Sequence, residues 1–385
     1  MKLELSDEQQ MVQALARDFA EQEVKPIAGE CDREKRFPHA TVKRLGELGL
    51  MGIAIPEKLG GAGADVLTYV LALEEVAVAC ASHAVVMSVN NSLVCDPVYR
   101  FGSPEQHERF LVPLASGRGL GCFALTEPQA GSDARNQATL ASKDGDHYVL
   151  NGRKIFVTNG RESTIALVFA QSDPAKAHRG ISAFLVEKGT RGFLIPKVEE
   201  KLGLRASDTA EFVFEDCRVP AAHRIGAEGE GFKVAMQAID GGRIGIAAQA
   251  IGIARAALEA SVAYAKERKS FGVPIGQHQM IQWMLADMAT AIEAARLLTL
   301  RAAFLKDRGE PFGPEAAMAK LFASETAMRV TTDAVQVHGG YGFIKEYQVE
   351  RHFRDAKITQ IYEGTSQIQK LVIARHLLSG TAAGS

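Results

Sequence analysis

In Ile361-Tyr362-Glu363-Gly364-Thr365-Ser366-Gln367-Ile368-Gln369-Lys370, a carboxylate follows an aromatic residue and precedes a glycine, and helical spacing begins directly afterwards. Ser366-x-x-Gln369 has the spacing of a capping box, and Ile368, Leu371, Val372 and Leu378 form an apolar stripe. Free N–H groups at a helix start favour negative charge and can hold a ligand oxygen. Glu363, just outside that start on backbone loosened by Gly364, is a candidate general base aimed at a bound ligand. A surface turn with a solvated glutamate uses the same residue types, so the stretch alone leaves both readings open.

The 385 residues are long enough for two or three domains, and 44 Lys plus Arg stand against 46 Asp plus Glu, a net charge of −2. That balance argues against nucleic acid or an anionic membrane surface as the main partner. The start, Met1-Lys-Leu-Glu-Leu-Ser-Asp-Glu8, turns acidic at once and resembles neither a signal nor a transit peptide. The uncharged stretch Val76–Cys95 is interrupted by His83, Asn90 and Asn91, which suits a buried helix better than a membrane span. Cysteines 31, 80, 95, 122 and 217 are scattered, with no Cys-x-x-Cys, as expected in a reducing compartment. The expectation is a soluble, cytoplasmic enzyme.

Working outward from the C-terminal stretch, helical period covers most of residues 228–385. Ile244–Ala265, Gln277–Lys306, Glu315–Val337 and Thr365–Leu378 predict four helices with short connections, a bundle. Residues 119–227 change period. Phe123–Thr126, Tyr148–Leu150, Lys154–Thr158, Ile165–Ala170, Ile181–Val186 and Glu211–Phe214 read as short strands, with Asp144-Gly145 and Asn151-Gly152 as turns. Such runs predict a β-sandwich or barrel. Residues 1–118 read as helices again, opened by the capping box Ser6-Asp7-Glu8-Gln9. Gly119-x-Gly121-x-x-Ala124 matches a dinucleotide fingerprint only formally, because an extended segment follows where a helix is required. His-Glu-x-x-His and Gly-x-Ser-x-Gly do not occur.

The string Ile361–Gln369 resembles the signature of the acyl-CoA dehydrogenase family, flavoproteins that desaturate acyl-CoA thioesters, and further matches run from Ser6 to Leu378. The resemblance implies an α+β multidomain fold: a helical domain 1–118, a β-barrel domain 119–227 and a helical bundle domain 228–385, with FAD at their junction. It implies α-proton removal by Glu363 and hydride transfer to flavin, the Glu363 N–H helping to hold the thioester oxygen. Thr126-Glu-Pro-Gln-Ala-Gly131-Ser132-Asp133 resembles the loop that meets the flavin and the CoA arm, with Phe123 and Leu125 leading into it. Phe156-Val-Thr158-Asn-Gly160 resembles the strand beside the flavin ring, where many members carry Trp in place of Phe156. A plain turn and a core strand remain open for these two segments taken alone.

Arg268-Lys-Ser270-Phe271-Gly272 resembles the string whose arginine meets the cofactor diphosphate from a neighbouring subunit, although an ordinary helix end capped by Phe-Gly would look the same. Gln336-Val-His-Gly339-Gly340 resembles the loop over the adenosine end of FAD, and Gln279, Thr365 and Gln367 complete the cofactor set that the family implies. Ser132, Asp240, Arg243, Tyr362 and Gly364 form the implied acyl-CoA set. Ser88–Leu93 resembles the helix closing the acyl pocket, but simple helix packing explains it equally. Some branches carry the catalytic carboxylate just before Arg243; here that position is Gly242, which leaves Glu363 as the base. The implied substrate is a short-chain acyl-CoA, extending to medium chains. The implied partners are electron-transferring flavoprotein and further copies of the chain, a dimer at least and in the family usually a tetramer made of two such dimers, in fatty-acid β-oxidation. A flavin oxidase or monooxygenase, or a non-catalytic flavin-binding relative, would share the fold.

Overall fold

The computed structural model describes residues 4–379, so the outermost residues of the first and last expected segments lie outside it. Helices α1 (Asp7–Phe19), α2 (Lys25–Glu34), α3 (His39–Glu47), α4 (Val66–Ala79) and α5 (Ala81–Ser88) form the N-terminal segment. The short α6 (Asp96–Phe101), α7 (Pro104–Gln106) and α8 (Val112–Ala115) complete it. The capping box at Ser6 forms as its spacing predicts, with Gln9 N–H donating to Ser6 Oγ and Ser6 N–H to Gln9 Oε1. The Val76–Cys95 stretch is buried but not one helix: Cys80, in extended conformation, separates α4 from α5.

Eight strands follow: β1 (Gly121–Ala124), β2 (Leu140–Asp144), β3 (His147–Thr158), β4 (Ile165–Gln171), β5 (Ile181–Glu187), β6 (Phe193–Val198), β7 (Thr209–Pro220) and β8 (Arg224–Ile225). Their order is β6-β7-β3-β2-β4-β5-β8, with β1 parallel to β4. The ladder ends at β6 and β8, so the barrel-like sheet keeps an open edge. Asp144-Gly145 turns β2 into β3 as expected, but Asn151-Gly152 does not break the chain. β3 runs through it with a bulge, Gly152 taking φ +149° where a Cβ would strike Thr139.

Sheet alternation sorts side chains between two cores. Leu167, Phe169, Ile181 and Leu185 join the helical core, while Val168, Phe184, Phe212 and Phe214 build a separate core on the other face.

The C-terminal segment comprises α9 (Gly231–Glu267), the hairpin β9 (Lys269–Ser270) and β10 (Val273–Pro274), then α10 (Gln279–Asp307), α11 (Gly313–His338), α12 (Val349–Thr359) and α13 (Ser366–Leu378). Four of these are the expected bundle helices. α12 escapes a search for apolar periodicity because its buried face carries Arg351, His352 and Asp355 beside Val349 and Ala356. By length and composition α9 could cross a membrane, yet it is mostly buried and packs against α4, α10 and α11 as a core helix. Both helical segments share one core, and charge ties them together. Glu74 and Glu75, buried on α4, receive Arg255 of α9 and Arg296 of α10, with Arg17 of α1 on Glu75 at 2.9 Å. Asp307 at the end of α10 accepts the Val66 and Leu67 N–H groups at the start of α4.

Candidate active site

Where β1, β3, α5, α9 and the 362–368 turn converge lies a cavity of about 200 Å³. Val85, Val89, Leu93, Met236 and Ile239 make one wall apolar; Phe123, Leu125, Thr126, Gly131, Ser132, Phe156 and Thr158 supply the sheet side. Arg243, Tyr362, Glu363 and Gly364 close it from the C-terminal segment. Thus eleven of the cofactor, substrate and catalytic residues that the resemblance implies, far apart in sequence, share one cavity.

Glu363 and Gly364 both have left-handed backbone, φ +50° and +89°. For a glutamate this conformation costs about 1–2 kcal/mol, so the surroundings must hold it. Gln369 Nε2 donates to the Gly364 and Glu363 carbonyls at 2.8 and 3.2 Å, and Lys320 Nζ to the Gly364 carbonyl at 2.7 Å. The Tyr362 hydroxyl donates to Gln249. The expected Ser366–Gln369 capping box is therefore not present. Thr365 caps α13, its hydroxyl accepting from Ile368 N–H, while Ser366 Oγ turns to Glu325 at 2.7 Å. Nor does the α13 stripe pack inward: Ser366 and Gln369 are its buried residues, and Leu371 and Leu378 are exposed.

The Glu363 Oε2 atom is buried without a hydrogen-bond partner. Burial pushes its carboxyl up to about 8, against the opposing pull of Lys320 and Arg243. This shift comes from the folded chain itself, without a bound ligand. A Cβ at position 242 would lie 2.0 Å from Oε2, so the glycine there is what allows the carboxylate its place. Arg243, nearly fully buried, pairs with Asp240 at 2.5 Å. Asp240 itself lines a different cleft, with Lys306 and Asp307.

The remaining implied cofactor residues lie elsewhere on the single chain. Arg268, Gly339 and Gly340 line a second, open cleft with Tyr264 and Tyr341, the Arg268 guanidinium 5.3 Å from the Tyr341 ring centre. Phe271 and Gly272 form the tip of the β9–β10 hairpin and not a helix cap, and Phe271 is 97 % exposed. Ser270 Oγ meets His278 Nε2 at 2.9 Å; Gln279, Gln336 and Gln367 are exposed.

Residues 6–118, 122–217 and 229–378 match the models described as the acyl-CoA dehydrogenase N-terminal, middle and C-terminal domains. This chain belongs to the acyl-CoA dehydrogenase family. The mitochondrial short-chain specific acyl-CoA dehydrogenase of Bos taurus is 54 % identical over 98 % of this chain and 91 % of its own length. The solved butyryl-CoA dehydrogenase of Megasphaera elsdenii is 50 % identical, covers 98 % and 100 % of the two chains and superposes with a TM-score of 0.97. A chain from a structural study of the electron transferring flavoprotein of Acidaminococcus fermentans matches with the same identity, coverage and TM-score.

As a member of the acyl-CoA dehydrogenase family, the chain is an FAD-dependent oxidoreductase. Its cavity fits a flat aromatic group. Phe156, a non-glycine residue at φ +57°, leaves the sheet line and presents a ring that is 63 % exposed, and a Cβ at Gly131 would meet nothing within 4 Å.

Sequence reasoning missed Lys320, Gln249 and the buried pair Lys154–Glu127. Lys320 left a signal: it is a lysine on the face of α11 that also carries Ala316, Ala323 and Ala327. In this dehydrogenase, Gly242→Ala is expected to displace the carboxylate and lower kcat about 10²-fold with flavin content unchanged. Native kcat in that variant would mean the carboxylate can move freely.

Proposed function

We propose that this acyl-CoA dehydrogenase oxidises short-chain acyl-CoA thioesters to trans-2-enoyl-CoA, with Glu363 as the base that takes the α-proton. The buried, unpartnered Oε2 on the cavity wall carries this reading, because a raised carboxyl in a dry site is matched to abstracting a weakly acidic proton. FAD, held along Phe123, Leu125, Thr126, Gly131, Ser132, Phe156 and Thr158, supplies the acceptor for the β-hydride. The Glu363 N–H donates to the thioester oxygen as negative charge develops there. Arg243 and Asp240 border the CoA path, and Tyr362 and Gly364 hold the acyl end.

Two hydrogen-bonded polar pairs support a short chain: Tyr69 with Ser88 at 3.0 Å, on the helix that carries Val85, and Tyr362, in the cavity lining, with Gln249. A longer chain would leave these groups buried and unpaired. Anaerobic titration with butyryl-, octanoyl- and isobutyryl-CoA is expected to bleach the oxidised flavin band most strongly with butyryl-CoA. Bleaching by none of them, despite bound FAD, would overturn the reading, and rapid O₂ consumption without a carrier would replace it with an oxidase.

A second copy of the chain completes the cofactor site in this proposal, its Arg268 hairpin, Gln279, Gln336 and Gly339-Gly340 covering the diphosphate and adenosine, with Thr365 and Gln367 at the junction. The exposed apolar side chains Phe271, Trp283, Met280 and Phe343 in the same segment support such an assembly. Arg268→Ala is expected to lose most of its FAD on gel filtration; unchanged FAD would count against a shared site. Electron-transferring flavoprotein as electron acceptor is supported by the similarity to the Acidaminococcus fermentans chain, and five free, buried cysteines suit a cytoplasmic setting.

A further inference from the structure

Lys320 has no exposed surface, and the reaction as proposed does not use it. A buried ammonium persists only with hydrogen bonds and opposite charge nearby. Its bond to the Gly364 carbonyl, together with that of Gln369, occupies both lone pairs of one oxygen from two helices, α11 and α13. The peptide held in this way directly follows the two left-handed residues, the part of the turn most inclined to relax.

We propose that Lys320 is a positioning residue for the catalytic carboxylate: it clamps the turn through Gly364 and supplies positive charge that favours the ionised form of Glu363. The proposal rests on Glu363 being the base. Charged and titratable groups face this turn from every side. Arg243 on α9 is the second cation, but its charge is shared with Asp240. Glu325 on α11 accepts from Ser366, and Tyr69 on α4 and Tyr362 beside Glu363 are held by burial well above the ordinary tyrosine range. Lys320 bonds to a neutral carbonyl, which leaves its charge to act on Glu363. Burial lowers Lys320 to about 7 and raises Glu363 to about 8, each opposed by the other, so the two titrate as a pair.

Lys320→Met and Lys320→Gln test the two roles in the FAD-loaded enzyme. Lys320→Met is expected to keep FAD, change KM for butyryl-CoA less than about threefold, and lower kcat at neutral pH about tenfold or more. The acidic limb of its kcat/KM profile is expected to move up by about one pH unit. Lys320→Gln keeps a donor for Gly364, so it is expected to recover part of kcat while retaining the shifted limb. If the Met variant does not fold, the Gln variant carries the test of charge. Infrared difference spectra against Glu363→Gln follow the Glu363 carboxyl itself without substrate, and the same upward shift is expected there. A carboxyl titration unmoved by either variant overturns the proposal. A shifted titration in a protein that no acyl-CoA bleaches would support the Lys320–Glu363 coupling while the acyl-CoA reading failed separately.

Discussion

Glu363→Gln is expected to retain FAD and bind butyryl-CoA, yet to turn over about 10⁴-fold more slowly than the native enzyme, the upper range for loss of a positioned general base. Gln conserves the shape of the side chain that fits against Gly242, so the left-handed turn and its clamps survive while the proton acceptor is lost. Stopped-flow flavin reduction checks this; a rate near native would remove Glu363 from the mechanism. The native enzyme's kcat/KM is expected to rise with pH through about 8, because only the ionised carboxylate can accept the proton. Stability should run the other way. Folding raises this carboxyl's pKa, so the stability linked to Glu363 is fully present below its unfolded value, near 4.5, and is lost as pH rises through about 8. Glu363→Gln should therefore melt higher than the native chain in alkaline buffer, and equal melting temperatures there would contradict the burial argument.

Lys154→Met is expected to cost about 3–5 kcal/mol of stability, the usual result of stranding one partner of a buried ion pair. Lys154 Nζ lies 2.6 Å from Glu127 Oε1, both side chains are buried, and Lys154 also donates to Gln137 Oε1 and the Leu125 carbonyl. Glu127 accepts the Ala138 and Thr139 N–H groups as well. The pair thus braces the loop after β1, where Leu125 and Thr126 face the cavity, and flavin retention should fall together with stability. Denaturant unfolding and FAD content check it. Adding Glu127→Gln to Lys154→Met should recover part of the loss, since no isolated charge then remains buried and the amide oxygen can still accept from the backbone. A single variant as stable as the native chain would show that water reaches the pair.

How far the sequence carried depended on the distance over which each feature is determined. The long helices α9, α10 and α11 were legible because runs rich in Ala and other good helix formers extend over many turns. α12 was not, since its buried face carries Arg351, His352 and Asp355 and it is held by contacts across the fold such as Arg354 with Asp32. β2, β6 and β8 were missed for the same reason: each is a short segment that the neighbouring strands make regular. At the site, Glu363 stood out from its local string, and the resemblance supplied its companions.

By itself, the sequence determined the helix–strand–helix order and the family and singled out the candidate base, because these reside in local periodicity and in one contiguous motif. The tertiary structure decided what surrounds that carboxylate: the space at Gly242, the absence of a partner for Oε2, and the Lys320 and Gln369 clamps on a left-handed turn. Local spacing cannot report such features. Burial and charge proximity arise only when residues 242, 320 and 363 are brought together by packing.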